Sequence, residues 1–151
     1  MHEKTLKKVA WIQAVAAFIG FLDATFLTVE HYAGLSLPCI TGAACDLVTK
    51  SVYSTIGPVP ISLLGALYYL TFLLLAVYVI QTGSERIARM AYLLSWSGFL
   101  ISILLVSLQL FVLYAICIYC MGSAASSTLL WLTSMYGLRQ LKREKEGIQI
   151  T

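Results

Sequence analysis

The sequence predicts an all-α membrane protein, a four-transmembrane-helix bundle whose long first outer loop contains a short interfacial helix. Of the 151 residues, 60% are hydrophobic and only 11% are charged, whereas soluble domains are roughly half apolar and about a quarter charged. The apolar residues form four runs, each near the roughly 20 residues that cross a bilayer as a helix. The sequence therefore predicts a single domain over residues 1–151, with helices at about 9–30, 61–81, 90–114 and 116–137.

The first apolar run is predicted to be a retained helix. A cleaved secretory signal would be shorter and would end in a small-residue cleavage site, whereas this run carries Asp23 and continues into Thr28 and Glu30. A carboxylate is expensive inside a bilayer, so Asp23 is either a functional group, such as part of a proton route, or a packing residue bonded to Ser or Tyr.

Basic residues predict the orientation, because Lys and Arg collect in short cytoplasmic segments. With the N-terminus inside, only Lys50 lies on the outer side, and nine basic residues lie on the cytoplasmic side: Lys4, Lys7, Lys8, Arg86, Arg89, Arg139, Lys142, Arg143 and Lys145. Both termini are therefore predicted to be cytoplasmic, and residues 31–60 form the outer loop. The basic tail is predicted to be a membrane anchor and not a nucleic-acid site, because Glu144 and Glu146 interrupt it.

The outer loop divides into two parts. Its first part, rich in Gly, Ser, Thr and Pro, has the composition of a mobile loop and carries Cys39 and Cys45. The second part is predicted to be a short amphipathic helix that Asp46 caps. Its apolar residues recur at helical spacing until Gly57, Pro58 and Pro60 end it: Leu47, Val48, Val52 and Ile56. This helix either covers the mouth of the bundle, with Ser51 and Tyr53 near a ligand, or is a surface linker without a site role.

The fourth apolar run begins with Cys117, Ile118, Tyr119 and Cys120. At a helix start, unpaired amide groups and the helix dipole stabilise a thiolate, so Cys117 is expected to be the more accessible thiol. Cys120 follows three residues later, roughly 4.5 Å deeper at the rise of an α-helix. The two sulfurs are therefore predicted to have separate roles.

All four cysteines fall on the predicted outer side, where an oxidising compartment preserves disulfides. Redox exchange between two pairs is one chemistry for such a set, and structural disulfides are another. A tetrahedral zinc is the third, although zinc sites usually pair two short CxxC-like knuckles, and five residues separate Cys39 from Cys45.

These residues resemble the vitamin K epoxide reductase (VKOR) family, including its prokaryotic quinone-linked members, over essentially the whole chain. The resemblance rests on the loop cysteines of CITGAACDLVTKS, on Ser51 six residues after the second of them, on GPVP before the second helix, and on LQLFVLYAICIYC. It implies a four-helix bundle around a quinone, a CxxC active site, and a loop pair that relays electrons from a thioredoxin-like partner.

The resemblance also implies a role for each matching residue. Cys117 would exchange with the loop pair Cys39 and Cys45, and Cys120 would face the quinone. Ser51 would lie near the quinone head group as a hydrogen-bond partner. Tyr53 stands where vertebrate members carry tryptophan, and its ring would cover the quinone.

Several departures from the vertebrate members favour a prokaryotic, stand-alone type. The loop cysteines are separated by five residues instead of seven, and Ile61 and Ala124 stand where the polar amide and the tyrosine that bind vitamin K would fall. Ubiquinone or menaquinone is therefore the expected substrate, ahead of a vitamin K-like quinone. Only 15 residues follow Tyr136, so no fused thioredoxin domain is expected, and a separate thioredoxin-fold (DsbA-like) protein on the outer face is the expected partner.

The DsbB family performs the same task with four helices, but its CxxC lies in the first outer segment, which is the reverse of the order here. The expected function is a thiol:quinone oxidoreductase of the inner (plasma) membrane that generates protein disulfides. A non-enzymatic membrane assembly factor, with structural disulfides or a zinc site, is the alternative.

Overall fold

The computed structural model describes residues 2–34 and 44–149, and Cys39 lies outside them. The described residues form five α-helices, a 3-10 helix and two very short strands. In chain order these are α1 (His2–Ala33), α2 (Ala44–Thr49), the 3-10 helix (Val52–Ser54), β1 (Thr55–Ile56), β2 (Val59–Pro60), α3 (Ile61–Thr82), α4 (Glu85–Phe111) and α5 (Ile118–Gln149).

Three of the described helices are long and apolar enough to cross a membrane, namely Glu3–Ala33, Ile61–Thr82 and Glu85–Phe111. The chain is thus an all-α membrane protein. The helix α5 is also long, with 32 residues, but its small and polar residues between Gly122 and Thr128 lower its mean hydropathy. Its crossing of the membrane stays a prediction.

The four long helices pack as a ring, in which α1 contacts α3 and α5, and α4 contacts the same two helices. Small side chains allow this approach: a Cβ on Gly20 of α1 would lie 2.5 Å from the Tyr69 ring of α3. The central core also contains Ala17, Phe72 and Leu130, all fully buried.

Two further clusters show that successive long helices run in opposite directions. At one end of the bundle, Leu6 of α1 packs with Val79 of α3 and Leu141 of α5, beside Ile87 at the start of α4. At the other end, Leu27 of α1 packs with residues of α2 and with the segment before α5. All nine basic residues assigned to the cytoplasm belong to the helix ends of the first cluster.

The connection between α3 and α4 depends on Gly83. Its φ is +64°, in the left-handed region that glycine tolerates, and its N–H donates to the Val79 carbonyl at 2.8 Å. Ser84 is the N-cap of the next helix, so α4 begins at Glu85, five residues before its predicted start at about residue 90.

The predicted outer helix is wrong beyond Thr49. Asp46 lies inside the first turn of α2 and does not precede it. After Thr49 the chain forms the 3-10 helix, and Ile56 then pairs with Val59 in an antiparallel hairpin. Gly57 has a φ of +63° at the first central position of this two-residue turn, where a left-handed conformation is needed. The interfacial position of this segment stays a prediction.

Candidate functional site

A cavity of about 380 Å³ opens at the end of the bundle that holds Leu27 and α2. Its walls come from the end of α1, the segment from α2 to Ile56, the first half of α3, the second half of α4, and the start of α5. Aliphatic and aromatic side chains dominate these walls. The volume lies in the range of roughly 300–1,000 Å³ that is usual for small-molecule pockets.

Three predicted site residues line this cavity, namely Cys120, Ser51 and Tyr53. Ile61 and Ala124 line it as well, so an aliphatic side chain and a methyl group occupy the wall where the resemblance placed vitamin K-binding groups. The cavity therefore gathers residues from separate parts of the sequence.

The cysteines lie directly beside this cavity. Cys45 and Cys117 are both 0% exposed, and they pack in one cluster with Leu27 and Val48, while Cys120 packs against its edge. Cys45 is disulfide-bonded, whereas Cys117 and Cys120 carry free thiols. A cysteine of the outer segment thus shares a buried cluster with the first cysteine of the CxxC.

The expected accessibility of Cys117 is wrong. Cys117 is fully buried, while Cys120 is partly exposed and faces the cavity. The reason is tertiary, because α2 places Cys45 and Val48 over the start of α5 and covers Cys117. The position of a cysteine along the helix predicts which thiol lies nearer the helix end, but not which thiol another element covers.

A buried amide positions Cys117. Gln109 of α4 is 3% exposed, and its Oε1 accepts a hydrogen bond from the Cys117 backbone N–H at 3.0 Å. The Gln109 carbonyl also accepts the Ala115 N–H at 3.1 Å. Gln109 was not among the site residues predicted from the sequence, although an amide side chain within an apolar run is itself a signal of function.

Ser51 lies between α2 and the 3-10 helix. Its hydroxyl donates to the Val48 carbonyl at 2.8 Å, and its own carbonyl accepts the Ser54 hydroxyl at 2.7 Å. The hydroxyl hydrogen therefore has an internal acceptor, while the oxygen keeps lone pairs that can accept a further bond.

The deeper polar groups of the cavity differ in their partners. The Tyr69 hydroxyl donates to the Ser123 carbonyl at 2.6 Å, and the Ser102 hydroxyl bonds that of Ser127 at 2.8 Å. By contrast, the buried Tyr68 hydroxyl has no hydrogen-bond partner among residues 2–34 and 44–149.

Asp23 lies in α1 near the same end of the bundle. Its Oδ2 is buried without a hydrogen-bond partner in the described part of the chain. A proton route and a packing carboxylate are both consistent with this position.

No three His, Cys, Asp or Glu side chains of the described residues come together as a metal site. This observation does not address zinc bound by four cysteines, because Cys39 lies outside those residues.

Comparison with known families gives one match. The model of the Vitamin K epoxide reductase family matches residues 11–135, which include α1 from Trp11 onward, the cavity walls and all four cysteines. A comparison with curated proteins found no match.

Proposed function

The chain belongs to the vitamin K epoxide reductase family, and we propose that it generates protein disulfides by passing electrons from a thioredoxin-like partner to a quinone. Members of this family are membrane thiol oxidoreductases that use quinones and in general work with a thioredoxin-like partner. The observation that carries the proposal is that Cys45 belongs to the same buried cluster as Cys117, while Cys120 packs against that cluster and lines the cavity.

Electrons enter at the outer segment. A thiolate of the partner attacks the disulfide between Cys39 and Cys45, and the second partner thiol completes the reduction of that pair. The freed Cys45 thiolate attacks Cys117 in the Cys117–Cys120 disulfide, and Cys120 leaves as a thiolate. Cys39 then attacks Cys45 in the mixed disulfide, which restores the loop disulfide and leaves Cys117 and Cys120 reduced.

The packing of the cysteines supports this order. Cys45 belongs to the same buried cluster as Cys117, so we assign the exchange with the CxxC to Cys45 and the contact with the partner to Cys39. A disulfide-bonded Cys45 beside two free thiols is also the arrangement that follows the exchange.

The cavity fits a quinone ring. It has a suitable volume, mostly apolar walls, and the Cys120 sulfur on one wall. A bound quinone supplies a two-electron acceptor that leaves as hydroquinone. Cys117 and Cys120 lose two electrons and two protons in that step and form their disulfide. Because Ile61 and Ala124 offer no polar contact, ubiquinone or menaquinone is the proposed substrate, and a prokaryotic, stand-alone type is the proposed subtype.

The proposed setting is the inner (plasma) membrane, with α5 as the fourth crossing. Both termini are cytoplasmic, and the cysteines face the periplasm or the cell exterior. This orientation is supported by the nine basic residues at the opposite end of the bundle from the cavity.

The function can be tested by the absorbance of ubiquinone-1 mixed with purified protein and dithiothreitol. Wild-type protein should reduce the quinone, and Cys117→Ala or Cys120→Ala should abolish the reduction. Cys39→Ala and Cys45→Ala should retain this reaction, because the small dithiol bypasses the loop pair, but lose reduction driven by a thioredoxin-fold protein.

Two results would contradict the proposal. Quinone reduction that survives both CxxC substitutions would remove these cysteines from the reaction. Wild-type protein that neither binds nor reduces quinone would favour the assembly-factor alternative.

A further inference from the structure

Tyr68 lines the cavity and carries a buried hydroxyl without a hydrogen-bond partner among the described residues. It lies in α3, about two turns from the helix start. Leaving a buried donor unpaired is unfavourable, so its retention calls for a physical explanation.

The surrounding residues hold this hydroxyl in place. Gly98 of α4 is packed so closely that a Cβ there would lie 2.2 Å from the Tyr68 oxygen. The Tyr68 ring also makes an edge contact with Tyr69, with centroids 5.1 Å apart, and a tilted contact with Phe72 at 6.1 Å. The phenol is therefore fixed on three sides, and α4 has a glycine where the hydroxyl needs room.

Three other hydroxyls of the cavity wall have hydrogen-bond partners. Tyr69 donates to Ser123, Ser51 donates to Val48, and Ser102 is bonded to Ser127. Tyr68 is thus a fixed donor whose acceptor is missing from the described protein, at a cavity whose wall also carries Cys120.

We propose that the Tyr68 hydroxyl donates a hydrogen bond to a carbonyl oxygen of the quinone ring. This inference rests on the proposed function, and it adds a binding residue to it. A quinone ring offers carbonyl acceptors and no donors, so a lone phenol donor complements it. Tyr68 would supply the polar contact that Ile61 and Ala124 lack, and the bond would strengthen as negative charge develops on the oxygen during reduction.

Ligand-induced thermal shifts of the purified protein, oxidised so that Cys117 and Cys120 form their disulfide, test the proposal without turnover. The two probes are menadione and 2-methylnaphthalene, which share a fused ring and a methyl group but differ in the carbonyl oxygens. Tyr68→Phe should weaken menadione binding by about three- to tenfold, as expected for the loss of one hydrogen bond. Binding of 2-methylnaphthalene should not change.

Tyr78→Phe is the matched control. Tyr78 belongs to the same helix but is 50% exposed and does not line the cavity, so its hydroxyl should affect neither probe. The ligand-free Tyr68→Phe protein should unfold at an unchanged or higher temperature, because the substitution removes a buried donor without a partner.

Three results would overturn the inference. Unchanged menadione binding in Tyr68→Phe would show that the hydroxyl does not contact the quinone. Equal weakening of both probes would assign the effect to shape. A clear loss of ligand-free stability would show that the hydroxyl is bonded within the protein. Failure of the proposed function gives a different result: wild-type protein would then neither bind menadione nor reduce ubiquinone-1.

Discussion

Ser51 combines a local backbone bond with a position on the cavity wall. Its hydroxyl hydrogen points to the Val48 carbonyl, so donation to a quinone would require the hydroxyl to turn. The oxygen can accept a hydrogen bond from a hydroquinone without any change. Either hydrogen bond, to the quinone or from the hydroquinone, would affect the rate of quinone reduction more than the stability of the outer segment.

Ser51→Ala is expected to fold and to form the Cys117–Cys120 disulfide, yet to reduce quinone at least about tenfold more slowly, the low end for losing one such polar contact. Steady-state rates of ubiquinone-1 reduction at saturating dithiothreitol measure this effect. Ser97→Ala is the control, because the exposed Ser97 hydroxyl makes a similar bond to the Leu94 carbonyl, away from the cavity. Wild-type turnover in Ser51→Ala would show that the Ser51 hydroxyl only bonds the Val48 carbonyl and has no role in quinone reduction.

Single residues differ in how far the sequence predicts them. The resemblance assigned Cys120, Ser51 and Tyr53 to the quinone, and the cavity wall contains all three, although their roles stay predictions. Tyr68 and Gln109 were missed because their properties arise from other elements: Gly98 of α4 leaves room for the Tyr68 hydroxyl, and Gln109 bonds a backbone group eight residues away. A periodic apolar pattern contains no information about such contacts.

At the scale of elements, the turn between α4 and α5 positions the CxxC. The first residues after Phe111 stay bonded to α4, since the Val112 and Leu113 N–H groups both donate to the Leu108 carbonyl. Tyr114 then adopts a φ of +48°, which is uncommon for a residue other than glycine. Gln109 completes the turn through its bond to Cys117.

Gln109→Leu should leave the Cys117 N–H without its acceptor and lower the free energy of unfolding by roughly 1–3 kcal/mol. Because the turn also sets the direction of Cys117, quinone turnover should fall by about tenfold or more.

Gln13→Leu is the matched control, since the buried Gln13 amide donates to Ser134 near the opposite end of the bundle at 2.8 Å. It should lose similar stability but keep its turnover once folded protein is compared. Equal turnover in the two variants would show that Gln109 only stabilises the fold.

The outer segment shows why element boundaries were harder to predict than the elements. Leu47, Val48, Val52 and Ile56 recur at helical spacing, but the helix ends at Thr49. Val52 and Ile56 are instead exposed, at 82% and 64%. The turn at Gly57 and the short strand pairing determine the local structure here, and a regular pattern of four apolar residues was too short to outweigh them.

For the whole molecule, the sequence predicted the four long helices from the lengths of its apolar runs. It predicted the crossing of α5 less directly, because serine, threonine and glycine lower the hydropathy of that helix. Two of these residues bond other helices, since Ser123 accepts from Tyr69 and Ser127 bonds Ser102. Polar groups satisfied in this way are compatible with a position inside a bilayer.

The bundle has two chemically distinct ends, and this asymmetry supports the proposed orientation. One end carries the nine basic residues and the ion pair between Lys145 and Glu85, with N and O atoms 2.6 Å apart. The other end carries Cys45, the CxxC and the cavity. Positive charge resists transfer across the membrane, so the first end is expected to stay in the cytoplasm.

Impermeant maleimide labelling of intact cells tests this orientation. The natural Cys45 and Cys117 are too buried to be good reporters, so single cysteines are placed at exposed positions in a protein whose own cysteines are alanine. Val52→Cys, at a site 82% exposed on the cavity end, should be labelled from outside. Lys142→Cys, whose native side chain is 80% exposed at the basic end, should be labelled only after lysis. Because the two sites lie at opposite ends of the bundle, the opposite result would reverse the topology and place the cavity on the cytoplasmic side. Labelling of both sites in intact cells would mean that α5 does not cross the membrane.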